Sequence, residues 1–153
     1  MVRRSAGILL FRRTPAVEVL LAHPGGPLHV KKDVWTVPKG EYDDTELPLA
    51  AAYREFAEEL GHPVPDGPAL DLGEITQKGG KRVVAWAVEG DLDPATCVSN
   101  TFGMTWQGRW QEFPEIDRVQ WFDVATARTK INPTQEPFLD RLLAHVRDLP
   151  PSP

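Results

Sequence analysis

Apolar positions along the chain follow two periods, and each change of period marks a change of element. Ser5 to Arg13 is a short, nearly unbroken apolar run that predicts a buried strand. Val17 to Ala22 predicts its partner across the turn Arg13–Ala16. His23 to Asp33 mixes glycine, proline and charge, as an irregular loop does, and Val34 to Val37 is short and extended, leading into Pro38-Lys39-Gly40. The period then becomes helical. Leu49, Ala52, Tyr53, Phe56 and Leu60 form one apolar stripe, Pro48 suits a first turn, and Gly61 suits the left-handed residue that ends a helix. A proline-rich linker, 63–68, leads to two strands, Leu70 to Thr76 and Arg82 to Val88, joined by the glycine turn Gln77–Lys81.

Asp91 to Glu115 shows little periodicity and predicts a long loop. Loops of that length in a compact domain are functional or disordered, and Phe102, Trp106 and Trp110 disfavour disorder. Val119 to Phe122 predicts a last strand. Asp123 caps a short helix ending near Lys130, and Thr134 to Leu149 predicts an amphipathic helix carrying Phe138, Leu142, Leu143 and Val146. The fold class is α/β: a mixed sheet with the helix after Pro48 on one face and the C-terminal helix on the other. Residues 1–149 are expected to form one domain, and 150–153 a tail that frays.

Composition narrows the function. With 41% hydrophobic and 25% charged residues among 153, the chain has the balance of a globular domain with a sizeable core. Its net charge of −5 argues against a dedicated nucleic-acid surface, yet permits a nucleotide substrate where a bound metal supplies positive charge. Cys97 stands alone, so no intrachain disulfide forms and a reducing cytoplasm is the expected location. The apolar run after Arg3 and Arg4 spans only about six residues, too short for a signal-peptide core, and no run is long enough to cross a membrane.

The chemistry concentrates on the helix between Gly40 and Gly61. Glu55, Glu58 and Glu59 stand at i, i+3 and i+4, so they fall at about 0°, −60° and +40° around the axis. Like charges so close repel, and a helix that needed only a solvated face would intersperse lysines. A hard divalent cation, Mg²⁺ or Mn²⁺, suits such an edge because it prefers carboxylate oxygens. The turn-rich segment 35–44, folded back over the helix start, would bring the Gly40 carbonyl and Glu46 to the same place.

Gly40, five residues, Glu46, seven residues, then Arg54-Glu55-Phe56-Ala57-Glu58-Glu59-Leu60-Gly61 resembles the signature of the Nudix hydrolases. The family's pattern is Gly-x5-Glu-x7-Arg-Glu-U-x-Glu-Glu-x-Gly-U, with U a bulky aliphatic residue. His62 departs from it at the last position, which concerns packing after the helix. The resemblance implies an α/β/α sandwich with a mixed sheet over nearly the whole chain. It also implies hydrolysis of a nucleoside diphosphate linked to another moiety, by attack of water on phosphorus. Gly40, Glu55, Glu58 and Glu59 would then bind the metal, with one carboxylate assisting the water, while Glu46 and Arg54 orient the set.

Family members often supply another glutamate from the loop before the last strand. Glu112 and Glu115 compete for that role here, and Glu115 has the preferred spacing from Trp121. Pro38-Lys39-Gly40 is similar to dinucleoside polyphosphate hydrolases and some decapping members, with Lys39 either contacting a phosphate or simply exposed. Trp35, Tyr42, Phe102, Trp106 and Trp110 are candidate stacking surfaces for a base. Trp35 is expected in the core, and Trp106 and Trp110 at the pocket. Lys31, Lys32, Lys78, Lys81 and Arg109 either meet distal phosphates or are solvated, with Arg109 grouped with the two tryptophans. The four histidines show no ligand spacing. The resulting expectation is a metal-dependent pyrophosphohydrolase acting on a dinucleoside polyphosphate or a nucleoside triphosphate. The alternatives are pyrophosphate removal from RNA 5′ ends, which the acidic balance disfavours, and a nucleotide-sensing regulator, which has no need of a water-activating cluster.

Overall fold

The computed structural model describes residues 2–13 and 15–152. Thr14, in the expected Arg13–Ala16 turn, and the terminal Met1 and Pro153 lie outside the described residues. Among the described residues, eight strands and three α-helices follow in chain order: β1 (Arg4–Arg12), β2 (Glu18–Pro24), β3 (Lys39–Glu41), α1 (Pro48–Leu60), β4 (Leu70–Thr76), β5 (Arg82–Glu89), β6 (Thr101–Trp106), β7 (Arg109–Pro114), β8 (Ile116–Asp123), α2 (Val124–Lys130) and α3 (Pro137–Arg147). The main sheet runs β4-β5-β1-β2-β8, with β3 paired to β1 alone. β1 and β5 are parallel and the other pairings antiparallel, so the sheet is mixed as expected.

β1 is buried on both faces because successive side chains alternate between two cores. Ala6, Ile8 and Leu10 pack with Ala51, Ala52, Phe56 and Leu60 of α1. Leu9 and Phe11 join Phe138, Leu139 and Leu142 of α3 on the opposite side. Each of these large side chains is withdrawn from water, worth about 1.5–3 kcal/mol apiece. The two cores therefore grip one sheet, the α/β/α layering that the periodicity implied.

Local signals set the helix ends. Pro48 occupies the first turn of α1, and Gly61 closes it at φ 72°, its N–H donating to the Ala57 carbonyl at 2.8 Å. The Asp123 carboxylate accepts from the Thr126 N–H at 2.7 Å and starts α2. The helix expected from Thr134 is shorter: Pro133–Gln135 forms a 3-10 turn, and α3 begins only at Pro137, whose ring pre-sets the first turn. Regular structure ends at Arg147, and the tail beyond it is tied down at two points. The Pro150 carbonyl accepts from Arg13, and the Ser152 hydroxyl donates to Glu89 at 3.0 Å.

One expectation is overturned. Asp91 to Glu115 is not a long loop but a 3-10 turn, Pro94–Thr96, followed by the β6–β7 hairpin. Gln107 and Gly108 take φ 52° and 78° at its tip, the positive pair that a tight hairpin turn demands. The alternation is weak because most hairpin side chains are exposed or only half-buried on both faces.

Candidate active site

β3 joins the N-terminal half of β1, pairing Ala6 with Gly40 and Gly7 with Lys39. Gly40 thus lies on the α1 side of the sheet, and the Glu55 carboxylate rests directly over it. A Cβ at Gly40 would overlap that carboxylate, so the glycine is required by close approach.

Arg54 organises the acids around it. Its Nε and Nη2 donate to the two oxygens of Glu46 at 2.8 and 2.7 Å, a bidentate pair, and its Nη1 donates to Glu55 Oε1 at 2.8 Å and Glu58 Oε2 at 3.1 Å. The Arg54 hydrogen bonds hold Glu46 below the usual carboxylate range, and those carboxylates hold the guanidinium above its own. One cation therefore fixes three carboxylates.

Glu59 differs: its side chain turns inward and is 6% exposed. Burial pushes its carboxyl up to about 8, against the attraction of Lys39, and the charges of Glu55 and Glu115 push the same way. Burial raises Glu55 too, although Arg54 opposes it, and burial followed by the charge of Glu58 raises Glu115. Lys39 is pushed down to about 8 by burial and by the neighbouring ammonium of Lys81. A cavity of about 80 Å³ lined by Glu59, Cys97, Ser99 and Asp117 leaves room for water behind the buried carboxyl.

Glu115, between β7 and β8, is held by its backbone. Its N–H donates to the Asn100 carbonyl at 2.8 Å, and its carbonyl accepts from the Gly25 N–H at 2.8 Å. The Asn100 N–H in turn donates to the Glu58 carbonyl at 3.1 Å, lashing this corner to α1. Glu112 lies on β7 opposite Gly103, its carboxylate toward the Thr101 hydroxyl at 3.5 Å. Of the two candidates, Glu115 is the one coupled to Glu55, Glu58 and Glu59. The clamp through Gly25 and Asn100 was not foreseen. Its trace in the sequence is Gly25, where a Cβ would overlap the Pro114 carbonyl.

Trp106, Arg109 and Trp110 sit at the hairpin tip. Trp106 and Arg109 are cross-strand partners, and Trp110 is 70% exposed with its indole edge against Gly103. Trp35, by contrast, is a core residue at 3% exposure, stacked edge-on against His23 and Phe122.

Among the described residues, no three His, Cys, Asp or Glu side chains converge closely enough to hold a metal ion as arranged. Glu55 and Glu58 are drawn to Arg54 instead. The donor set nonetheless fits a hard divalent cation: several carboxylates and a carbonyl, with Glu55, Glu59 and Glu115 burdened by burial and mutual repulsion that added positive charge would relieve.

A NUDIX domain family model matches residues 1–142. The 8-oxo-(d)GTP phosphatase of Mycolicibacterium smegmatis is 35% identical over 139 residues, covering 84% of this chain and 37% of that protein. The chain thus spans little more than a third of that relative's length. The C. elegans Ap4A hydrolase binary complex superposes with a TM-score of 0.69 at 20% identity, covering 95% of this chain and 99% of that one. A Nudix hydrolase from M. smegmatis, RenU, gives 0.64 at 22% identity, covering 97% and 88%. At such identities the likeness to the solved structures is one of fold.

Proposed function

The chain belongs to the Nudix family, and from that premise we propose that it is a metal-dependent pyrophosphohydrolase. Its substrate would be a free nucleotide, either a dinucleoside polyphosphate or a nucleoside triphosphate. The observation that carries this reading is Glu59, a carboxyl buried at the heart of a helix edge it shares with Glu55, with Glu115 alongside. Burying an acid among acids costs stability, and a site that handles charge explains why the arrangement persists.

Glu55, Glu58, Glu59 and the Gly40 carbonyl would hold Mg²⁺ or Mn²⁺, which when bound neutralises phosphate oxygens and acidifies water. Glu115, raised by burial, accepts the proton from the attacking water. Arg54 keeps Glu46, Glu55 and Glu58 in register, so its role is positioning. Lys39 offers its ammonium to a phosphate oxygen. The names of two similar proteins, an 8-oxo-(d)GTP phosphatase and an Ap4A hydrolase, support a nucleotide substrate.

A panel of nucleoside triphosphates, dinucleoside polyphosphates, ADP-ribose and 5′-triphosphorylated RNA, incubated with Mg²⁺ or Mn²⁺, tests the reading by release of phosphate or pyrophosphate. Turnover of a free nucleotide is expected, and Glu59→Gln should lower it by roughly two orders of magnitude. Nucleotide binding without turnover under both metals would replace hydrolysis with a sensing role.

A further inference from the structure

The β2–β8 ladder carries an irregularity beside Glu115. Val19 to His23 pair in step with Phe122 to Arg118, but Pro24 pairs with Ile116, so Asp117 is an extra residue on β8. In an unbroken ladder Gly25 would oppose Ile116. The bulge moves the pairing by one residue, and the Gly25 N–H meets the Glu115 carbonyl instead. Where Glu115 is held is therefore decided at Asp117.

A side chain secures the extra residue. Asp117 Oδ1 lies 2.7 Å from Nδ1 of His23, whose ring is fully buried and packs edge-on against Trp35. The other ring nitrogen, Nε2, faces the Lys32 carbonyl. A carbonyl can only accept, so Nε2 donates, and the carboxylate at Nδ1 then requires a second proton between the two groups. His23 thus ties the end of β2, the loop residue Lys32 and the bulge together. Arg118 completes the corner, with its Nε 3.5 Å from Asp117 and its guanidinium over the Trp35 ring at 5.2 Å. A buried ionic pair is weak evidence for stability, and its best-attested use is to fix a register. None of the chemistry assigned above uses His23 or Asp117, yet both stand two residues from the Gly25–Glu115 clamp.

Building on the hydrolase reading, we propose that His23 is a positioning residue for Glu115. Through Asp117 it pins the β8 bulge, and the bulge selects Glu115 as the residue that Gly25 holds beside the acids of α1. His23 touches neither substrate nor metal in this account, and its effect on turnover passes entirely through Glu115.

The test joins hydrogen exchange, read by NMR, to kinetics in the wild type, His23→Gln, Asp117→Ala, Asp117→Asn and the double variant His23→Gln/Glu115→Gln. In His23→Gln the Gly25 amide should exchange at least about tenfold faster while amides in the centre of β1 keep their protection. Its kcat should fall about tenfold with KM nearly unchanged. Asp117→Ala, at a residue nearer the surface, should reproduce both effects and carries the test should His23→Gln fail to fold. Asp117→Asn keeps an acceptor oxygen and should recover most of the loss. In the Glu115→Gln background, His23→Gln should cause no further fall in kcat, because the two act in one chain. Unchanged kcat in both His23→Gln and Asp117→Ala overturns the proposal. So does a loss of the same size in the Glu115→Gln background, which would make His23 a packing residue only. Faster Gly25 exchange in a protein that hydrolyses no nucleotide keeps the pin and overturns the hydrolase reading. Retained Gly25 protection in variants with normal turnover does the reverse.

Discussion

Gly40 shows how much one missing methyl group can decide. Its backbone passes so near the Glu55 carboxylate that any Cβ would collide, yet the colliding atoms are the end of a flexible side chain. Gly40→Ala should therefore fold, with Glu55 displaced. Turnover should drop by at least about tenfold while the melting temperature moves by only a few degrees; normal turnover would mean that the Glu55 position is not critical. Glu59 and Lys39 make a second prediction at this scale, in metal-free protein. Glu59 binds its proton more tightly when folded, its value rising from 4.5 to about 8, so its contribution to stability is full below 4.5 and is lost as pH rises toward 8. Glu55 and Glu115 shift in the same direction. Lys39 is depressed from 10.5 to about 8, so its contribution is present above 10.5 and is lost as pH falls through 8. Melting temperature in EDTA should consequently fall from pH 5 to 8 and recover above it, with Glu59→Gln flattening the first limb. A steady rise between pH 5 and 8 would contradict the burial argument.

At the level of elements, α1 presents the acids and the β6–β7 hairpin delivers Glu115 to them. α1 can hold repelling charges because Phe56 and Leu60 anchor its other face in the core. The hairpin is tied back at its base, through Asn100, Glu115 and Gly25, while its tip projects. The base and the tip should therefore respond differently to substitution. Glu115→Gln should lower kcat by about tenfold or more with little change in KM, and Glu112→Gln should do neither. The reverse order would assign the proton transfer to β7. If Trp110 stacks a base, Trp110→Ala should raise KM for nucleotides by about tenfold. Unchanged KM would leave its indole as a cover for Gly103.

For the whole molecule, two cores grip one sheet and the carboxylate edge lies where β3 meets α1, so the cost of burying and crowding these acids is borne by the entire fold. A cation that binds only the folded state stabilises it by about 2.7 kcal/mol at roughly a hundred times its dissociation constant. For a domain of this size that is a rise in melting temperature of roughly 5–10 °C. Calorimetry with millimolar Mg²⁺ or Mn²⁺ against EDTA measures it, and Glu59→Gln should reduce the response. Identical melting curves with and without both metals would remove the cation from the account.

The sequence by itself determined the two-period pattern, and with it the layers, the ends of α1, the exact span of β4 and the acidic edge. Those features depend on neighbours three or four residues apart, or on glycines and prolines that act locally. It also carried the family, since the spaced motif from Gly40 to Gly61 needs no tertiary information to be read. The β6–β7 hairpin escaped because exposed strands carry no alternation, and its Gln107-Gly108 tip is a weaker signal than Asn-Gly. Only the tertiary structure decided that Glu59 is buried while Glu58 is not, and that Glu115 rather than Glu112 joins the acids. It alone set Lys39 beside Lys81, across the sheet from the edge that Gly40 faces. Each of those outcomes depends on which segments of distant sequence press against one another, and desolvation and charge coupling exist only once they do.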